Sequence, residues 1–136
     1  MESVQQRLGV ARRALDTLRE LADLSSPTTV ERDAAIQRFE YSVETCWKCA
    51  AYCLRSHAGL AVASPKAAAR ESRSVGWLSD EQAELALAMS DDRNLTSHTY
   101  NEALAERIFG ALRGYVDLMD GWLAAVELEC GGLKSR

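Results

Sequence analysis

The chain has 136 residues, 47% of them hydrophobic and 26% charged, with two prolines and a net charge of −4. That length supports one domain, residues 1–136, with a real core; no apolar run approaches the ~18 residues that cross a bilayer, and Met1–Arg7 leads into an amphipathic pattern rather than a signal core, so a cytoplasmic protein is expected. The negative balance speaks against broad, sequence-blind affinity for nucleic acid, which needs a basic face to release counterions, while leaving room for a local basic pocket.

Strand alternation and hairpin dipeptides are nearly absent, and helical period dominates. Val4, Leu8, Ala11, Leu15, Leu18 and Ala22 step by four and three and predict a first helix from about Glu2 to Leu24. Arg7, Arg12, Arg13 and Arg19 crowd it and read as solvated surface. Ser25-Ser26-Pro27 breaks it, and Thr28 with Glu31 forms a capping box for a long second helix to about Ser56. Its inner face is Ile36, Phe39, Val43, Cys46, Ala50 and Leu54, with Trp47 on the flank. Gly59 ends it. Ser64-Pro65 opens a short third helix to about Val75, where Lys66, Arg70 and Arg73 again read as surface. After Gly76, Ser79 and Gln82 cap a fourth helix that runs through Met89 to about Asp92. Thr99 with Glu102 is read as a capping box for a last helix to about Cys130, ended by Gly131-Gly132. Its inner face is Leu104, Ile108, Ala111, Tyr115, Leu118 and Trp122. The fold class expected is all-α, an antiparallel up-and-down bundle of four to five helices.

Two further patterns carry open alternatives. Cys46, Cys49, Cys53 and His57 fall on one stripe of the second helix, and one straight helix cannot wrap four ligands around a tetrahedral zinc. Small apolar packing at the core's edge is expected, with metal or redox chemistry as the alternative; neither a metal nor a cofactor is required. Gly110 and Gly114 stand one turn apart in the last helix, where each costs up to ~1 kcal/mol relative to alanine. Such a pair suits a close approach, with an internal contact favoured over one across a dimer.

The most informative stretch is Arg93-Asn94-Leu95-Thr96-Ser97-His98-Thr99-Tyr100, in a protein with only two histidines. Arginine keeps its charge and grips phosphate in a fork; histidine both accepts and donates a proton near neutrality. RNA carries its own nucleophile, the 2′-hydroxyl. An enzyme cleaving it therefore needs proton transfer and charge stabilisation rather than an activated water. Arg93 and His98 are the candidate catalytic residues. Asn94, Thr96, Ser97 and Tyr100 are the candidate substrate-binding residues, although Thr96 and Ser97 equally suit turn and cap roles. One imidazole serves one of the two proton transfers efficiently, so a two-fold dimer that juxtaposes two copies of the motif is expected.

Ile36-Gln37-Arg38-Phe39-Glu40, Trp47-Lys48, Ser64-Pro65-Lys66 and the string from Arg93 to Glu102 follow one another along the chain. In this order and rough spacing the sequence resembles the HEPN superfamily of small helical proteins. More closely, it is similar to the branch called nucleotidyltransferase substrate-binding proteins. The resemblance implies a bundle that dimerises with its Arg–His motifs facing a shared cleft. It further implies a ribonuclease toxin of a two-gene toxin–antitoxin module, acting on an RNA substrate without metal. Its partner is a minimal nucleotidyltransferase antitoxin that transfers AMP onto the motif tyrosine, here Tyr100. The cysteine cluster departs from the family pattern. The competing functional reading is a non-catalytic subunit that binds nucleotide or substrate for a nucleotidyltransferase; the bland one is an interaction protein whose motif merely caps a helix.

Overall fold

The computed structural model describes residues 3–131. Helices α1 (Val4–Ala22), α2 (Thr29–Ala58), α3 (Pro65–Ser74), α4 (Asp80–Leu95) and α5 (Glu102–Cys130) form a helical bundle, with one 3-10 turn, Thr96–His98, between α4 and α5. Among the described residues there is no strand. The expected first helical residue, Glu2, and the terminal Gly132 lie outside the described residues.

Local chemistry sets most of the boundaries. Thr28 and Glu31 form the capping box of α2, and Ser79 and Gln82 that of α4. Ser64 caps α3 ahead of Pro65. A further box, Ser3 with Gln6, starts α1. Gly59 ends α2 in the left-handed region at φ 69°, which a glycine adopts without penalty. α2 lies at the centre of the bundle and packs against every other element. Its expected inner face, including Phe39, Val43, Cys46 and Leu54, is buried, as are Leu112, Met119 and Trp122 of α5. The Trp122 indole donates to the Ser72 hydroxyl at 3.0 Å, fastening α5 to α3.

Four expectations change. α4 runs three residues beyond Asp92, so Arg93 and Asn94 belong to its last turn. The cap of α5 is Asn101, whose side chain accepts from the Leu104 amide at 3.1 Å, while the Thr99 hydroxyl donates backward to the Thr96 carbonyl. The 3-10 turn shortens the path between helices, so the residue meeting the first free amides is two positions later than the spacing implied. Asn101→Ala is accordingly expected to lower stability by about 1 kcal/mol, and Thr99→Ala by much less, in urea titrations followed by circular dichroism. Gly110 and Gly114 have nothing within 4 Å of where a Cβ would stand, so the internal contact expected for them is absent. Finally, Arg12 is not free surface: it bonds Asp120 of α5 at 2.5 Å, with Arg19 also facing that carboxylate.

All four cysteines are reduced and buried, whereas His57 is exposed at the end of α2. Cys53 lies beside Cys49 one turn back and Cys130 on α5. Burial pushes the Cys46 thiol well above its ordinary pKa, which keeps it uncharged. Among the described residues no group of three or more potential metal ligands forms. All four thiols pack within the hydrophobic core, three from α2 and one from α5.

Candidate functional site

The segment joining α4 to α5 is held from three sides. From α2, Arg32 reaches across to the first turn of α5 and grips both oxygens of Glu102, at 2.8 and 3.2 Å. The paired guanidinium holds the Glu102 carboxyl below the usual carboxylate range. At the end of α4, buried Asp92 accepts from the Tyr115 hydroxyl at 2.6 Å and from Arg107 at 2.8 Å, both on α5. The Tyr115 ring stacks on Phe39 of α2, with centroids 5.5 Å apart. Burial and then the adjacent Asp92 carboxylate push the Tyr115 phenol above its ordinary pKa, so it remains a donor. The motif therefore leaves α4 from a fixed end and enters α5 at a fixed start.

Between those anchors, Arg93 and Thr96 turn toward Glu40 of α2. The Thr96 hydroxyl lies 2.5 Å from a Glu40 carboxylate oxygen and 2.8 Å from the Arg93 carbonyl, one proton serving one acceptor at a time. The Arg93 Nη1 stands 3.8 Å from the same carboxylate, and its Nε is buried without a hydrogen-bond partner. Buried donors left unpaired are rare, so this arginine has donor capacity that the chain does not consume. Beside it an open cleft of about 420 Å³ is lined by Asp33, Gln37, Glu40, Thr96 and Thr99 among others.

The remaining motif residues face outward. His98 and Tyr100 are exposed, with Nδ1 of the imidazole 3.4 Å from the phenol oxygen and the rings edge to face at 5.9 Å. Tyr100 is 83% exposed, which leaves its hydroxyl open to solvent and to other proteins. Asn94 and Ser97 are exposed and make no side-chain hydrogen bond among the described residues. His98 and Tyr100 lie just ahead of the N-terminus of α5, whose free amides and dipole favour an anion. Among the described residues no hydrogen bond joins Arg93 to His98. Arg93 faces α2, and His98 faces out.

Sequence reasoning missed Glu40 and Asp92 as site residues. Glu40 stood inside the quoted Ile36–Glu40 string, but no spacing rule links position 40 to positions 93 and 96. Asp92 reads in sequence as the polar end of a helix, and only folding brings it under Tyr115.

A small helical protein with an Arg-x4-His-x-Tyr segment anchored between two helix ends is the class that this fold and segment define. The chain belongs to the family described as nucleotidyltransferase substrate binding protein like, whose model matches residues 6–127. It is also similar, at 55% identity and a TM-score of 0.84, to a protein of known crystal structure from Thermus thermophilus; the match covers 85% of this chain and 98% of that one. No curated protein matches the chain. The family description ties such proteins to nucleotidyltransferases. Among the described residues no helix is long and apolar enough to cross a membrane.

Proposed function

We propose that this protein is a metal-independent endoribonuclease of the HEPN type and the toxin of a two-gene toxin–antitoxin module. It acts as a cytoplasmic homodimer and is neutralised by a minimal nucleotidyltransferase. In this reading the RNA 2′-hydroxyl attacks the neighbouring phosphorus, His98 moves the proton, and Arg93 stabilises the charge that grows on the phosphate oxygens. The 5′-oxygen departs, leaving a 2′,3′-cyclic phosphate on one fragment and a 5′-hydroxyl on the other. Asn94, Thr96, Ser97 and Tyr100 hold the substrate, with Thr96 acting through its grip on Glu40 and the Arg93 carbonyl.

The observation that carries the reading is the solvent-facing pair His98–Tyr100, with 3.4 Å between imidazole nitrogen and phenol oxygen. An imidazole in water rather than in the core is free to exchange protons with a substrate. AMP on the oxygen of the neighbouring tyrosine would cover the imidazole and repel RNA. In the transfer, the Tyr100 oxygen bonds to the α-phosphorus of ATP, pyrophosphate leaves, and the phenol proton is released. One imidazole serves one of the two proton transfers, so a second copy would supply the other. Gly110 and Gly114 leave open space on α5 where such a copy could approach.

The second reading, a non-catalytic subunit presenting substrate or nucleotide to a nucleotidyltransferase, is favoured by the family's description. One experiment separates them. Purified protein is incubated with total cellular RNA in the presence of EDTA, and new ends are mapped. Fragments ending in 2′,3′-cyclic phosphate support the ribonuclease. Intact RNA together with harmless expression overturns it in favour of the binding subunit.

A further inference from the structure

Away from the Arg93–Tyr100 segment, a second cleft opens between the start of α1 and the later half of α2. It measures about 290 Å³ and is lined by Arg7, Lys48, Arg55, Trp47 and Tyr52, with Ala51 and Val62 completing the wall. No carboxylate lines it, although the chain as a whole carries a net charge of −4. The Arg7 guanidinium lies 4.8 Å from the Tyr52 ring centroid, a cation–π stack that holds both groups at the wall. The Trp47 indole N–H is anchored on Glu44 at 3.1 Å, and Lys48 reaches the same carboxylate at 3.2 Å. Arg55 is exposed and forms no ion pair among the described residues. Three cations, of which Lys48 is already paired with Glu44, beside flat rings are the chemistry that receives a phosphate and a base together.

The cleft and the motif's contact residue Glu40 lie along the same helix, α2. On an ideal helix Glu40, Glu44, Trp47, Lys48, Ala51 and Arg55 fall within about 100° of arc. The rise from Glu40 is roughly 12 Å to Lys48 and 22 Å to Arg55. Glu44 sits between the two regions. Burial opposes its charge, but the Trp47 indole, Lys48 and Arg93 together hold its carboxyl below the usual range. The two regions therefore share one strip of the molecule.

We propose that this cleft is a nucleotide-binding subsite in which Arg55, Lys48 and Arg7 take a phosphate while Trp47 and Tyr52 take the base. The same chemistry is offered by one nucleotide of an RNA strand passing from the motif and by a free nucleotide. The proposal rests on the ribonuclease reading only where the nucleotide belongs to RNA.

The test uses two probes on the full chain. One is a fluorescein-labelled, 2′-O-methylated RNA octamer, which lacks the nucleophile and so reports binding alone; the other is AMP, titrated calorimetrically. Arg55→Glu and Lys48→Glu change exposed residues and are checked for unchanged helicity, and Arg73→Glu on α3 controls for net charge. The expected result is at least tenfold weaker binding for the two cleft variants and less than twofold change for Arg73→Glu. Loss for the octamer assigns the cleft to an RNA strand, and loss confined to AMP assigns it to a free nucleotide. Wild type that binds neither probe, or cleft variants that match it or Arg73→Glu on both, overturns the proposal. Cleavage of unmodified RNA is measured in parallel. Cleavage by wild type with unaffected binding in the cleft variants removes this subsite and leaves the ribonuclease standing. Cleft-dependent binding without any cleavage does the reverse.

Discussion

His98→Ala is expected to abolish the RNA cleavage and growth arrest caused by wild-type expression while leaving the fold and its melting temperature unchanged. The imidazole is exposed, and its hydrogen-bonding partner is the equally exposed Tyr100 hydroxyl, so its removal opens no cavity and strands no buried group. What it removes is a proton carrier, a loss worth about 10²–10⁴-fold in rate where general acid–base catalysis operates. Tyr100→Phe completes the argument. It keeps the aromatic ring that contacts substrate but removes the oxygen that would receive AMP, so the variant should cleave RNA with weaker substrate binding and escape the nucleotidyltransferase. Growth and mapped RNA ends, followed for the three proteins with and without the partner gene, read both effects. Equal toxicity of wild type and His98→Ala would sink the catalytic role. Full neutralisation of Tyr100→Phe would sink the modification.

The second large effect is structural and comes from a residue next to the motif. Asp92→Ala is expected to destabilise the protein by roughly 2–3 kcal/mol, because it leaves the Tyr115 hydroxyl buried without an acceptor and frees Arg107 from its carboxylate. Two helices lose their tie at the point where the motif leaves α4, so the position of Arg93 should loosen as well. Tyr115→Phe, which removes the donor together with the need for an acceptor, should cost less than Asp92→Ala. Urea unfolding of the two variants and their double mutant gives the coupling directly. Independent, additive losses would mean that the carboxylate and the phenol do not act as a pair.

The helices and their starts were largely legible because their causes are local. Apolar steps of three and four residues placed the buried face of α2 at Phe39, Val43, Cys46 and Leu54, where the structure has it. Thr28, Ser64 and Ser79 capped the helices expected of them because a cap needs only amides two or three residues ahead. Thr99 failed on the same logic: a 3-10 turn advanced the register and passed the role to Asn101. The glycine pair in α5 was legible as unusual but not as to its surroundings, since one helix does not reveal which of its faces the others cover.

By itself, then, the sequence determined an all-helical chain, the end points of most of its helices, and the short string from Arg93 to Tyr100 in which cation, imidazole and phenol are neighbours. These follow from backbone geometry over a few residues and from the period of the apolar face. Tertiary structure alone decided that Arg93 and Thr96 turn inward to Glu40 while His98 and Tyr100 turn outward. It also decided that Asp92 locks onto Tyr115, and that Lys48 and Arg55 meet Arg7 across a second cleft. Those pairings join residues between 23 and 56 positions apart where hydrogen bonds are concerned. Their physical cause is the packing of α1, α4 and α5 against α2: once those apolar faces close, the polar groups at their edges must satisfy one another.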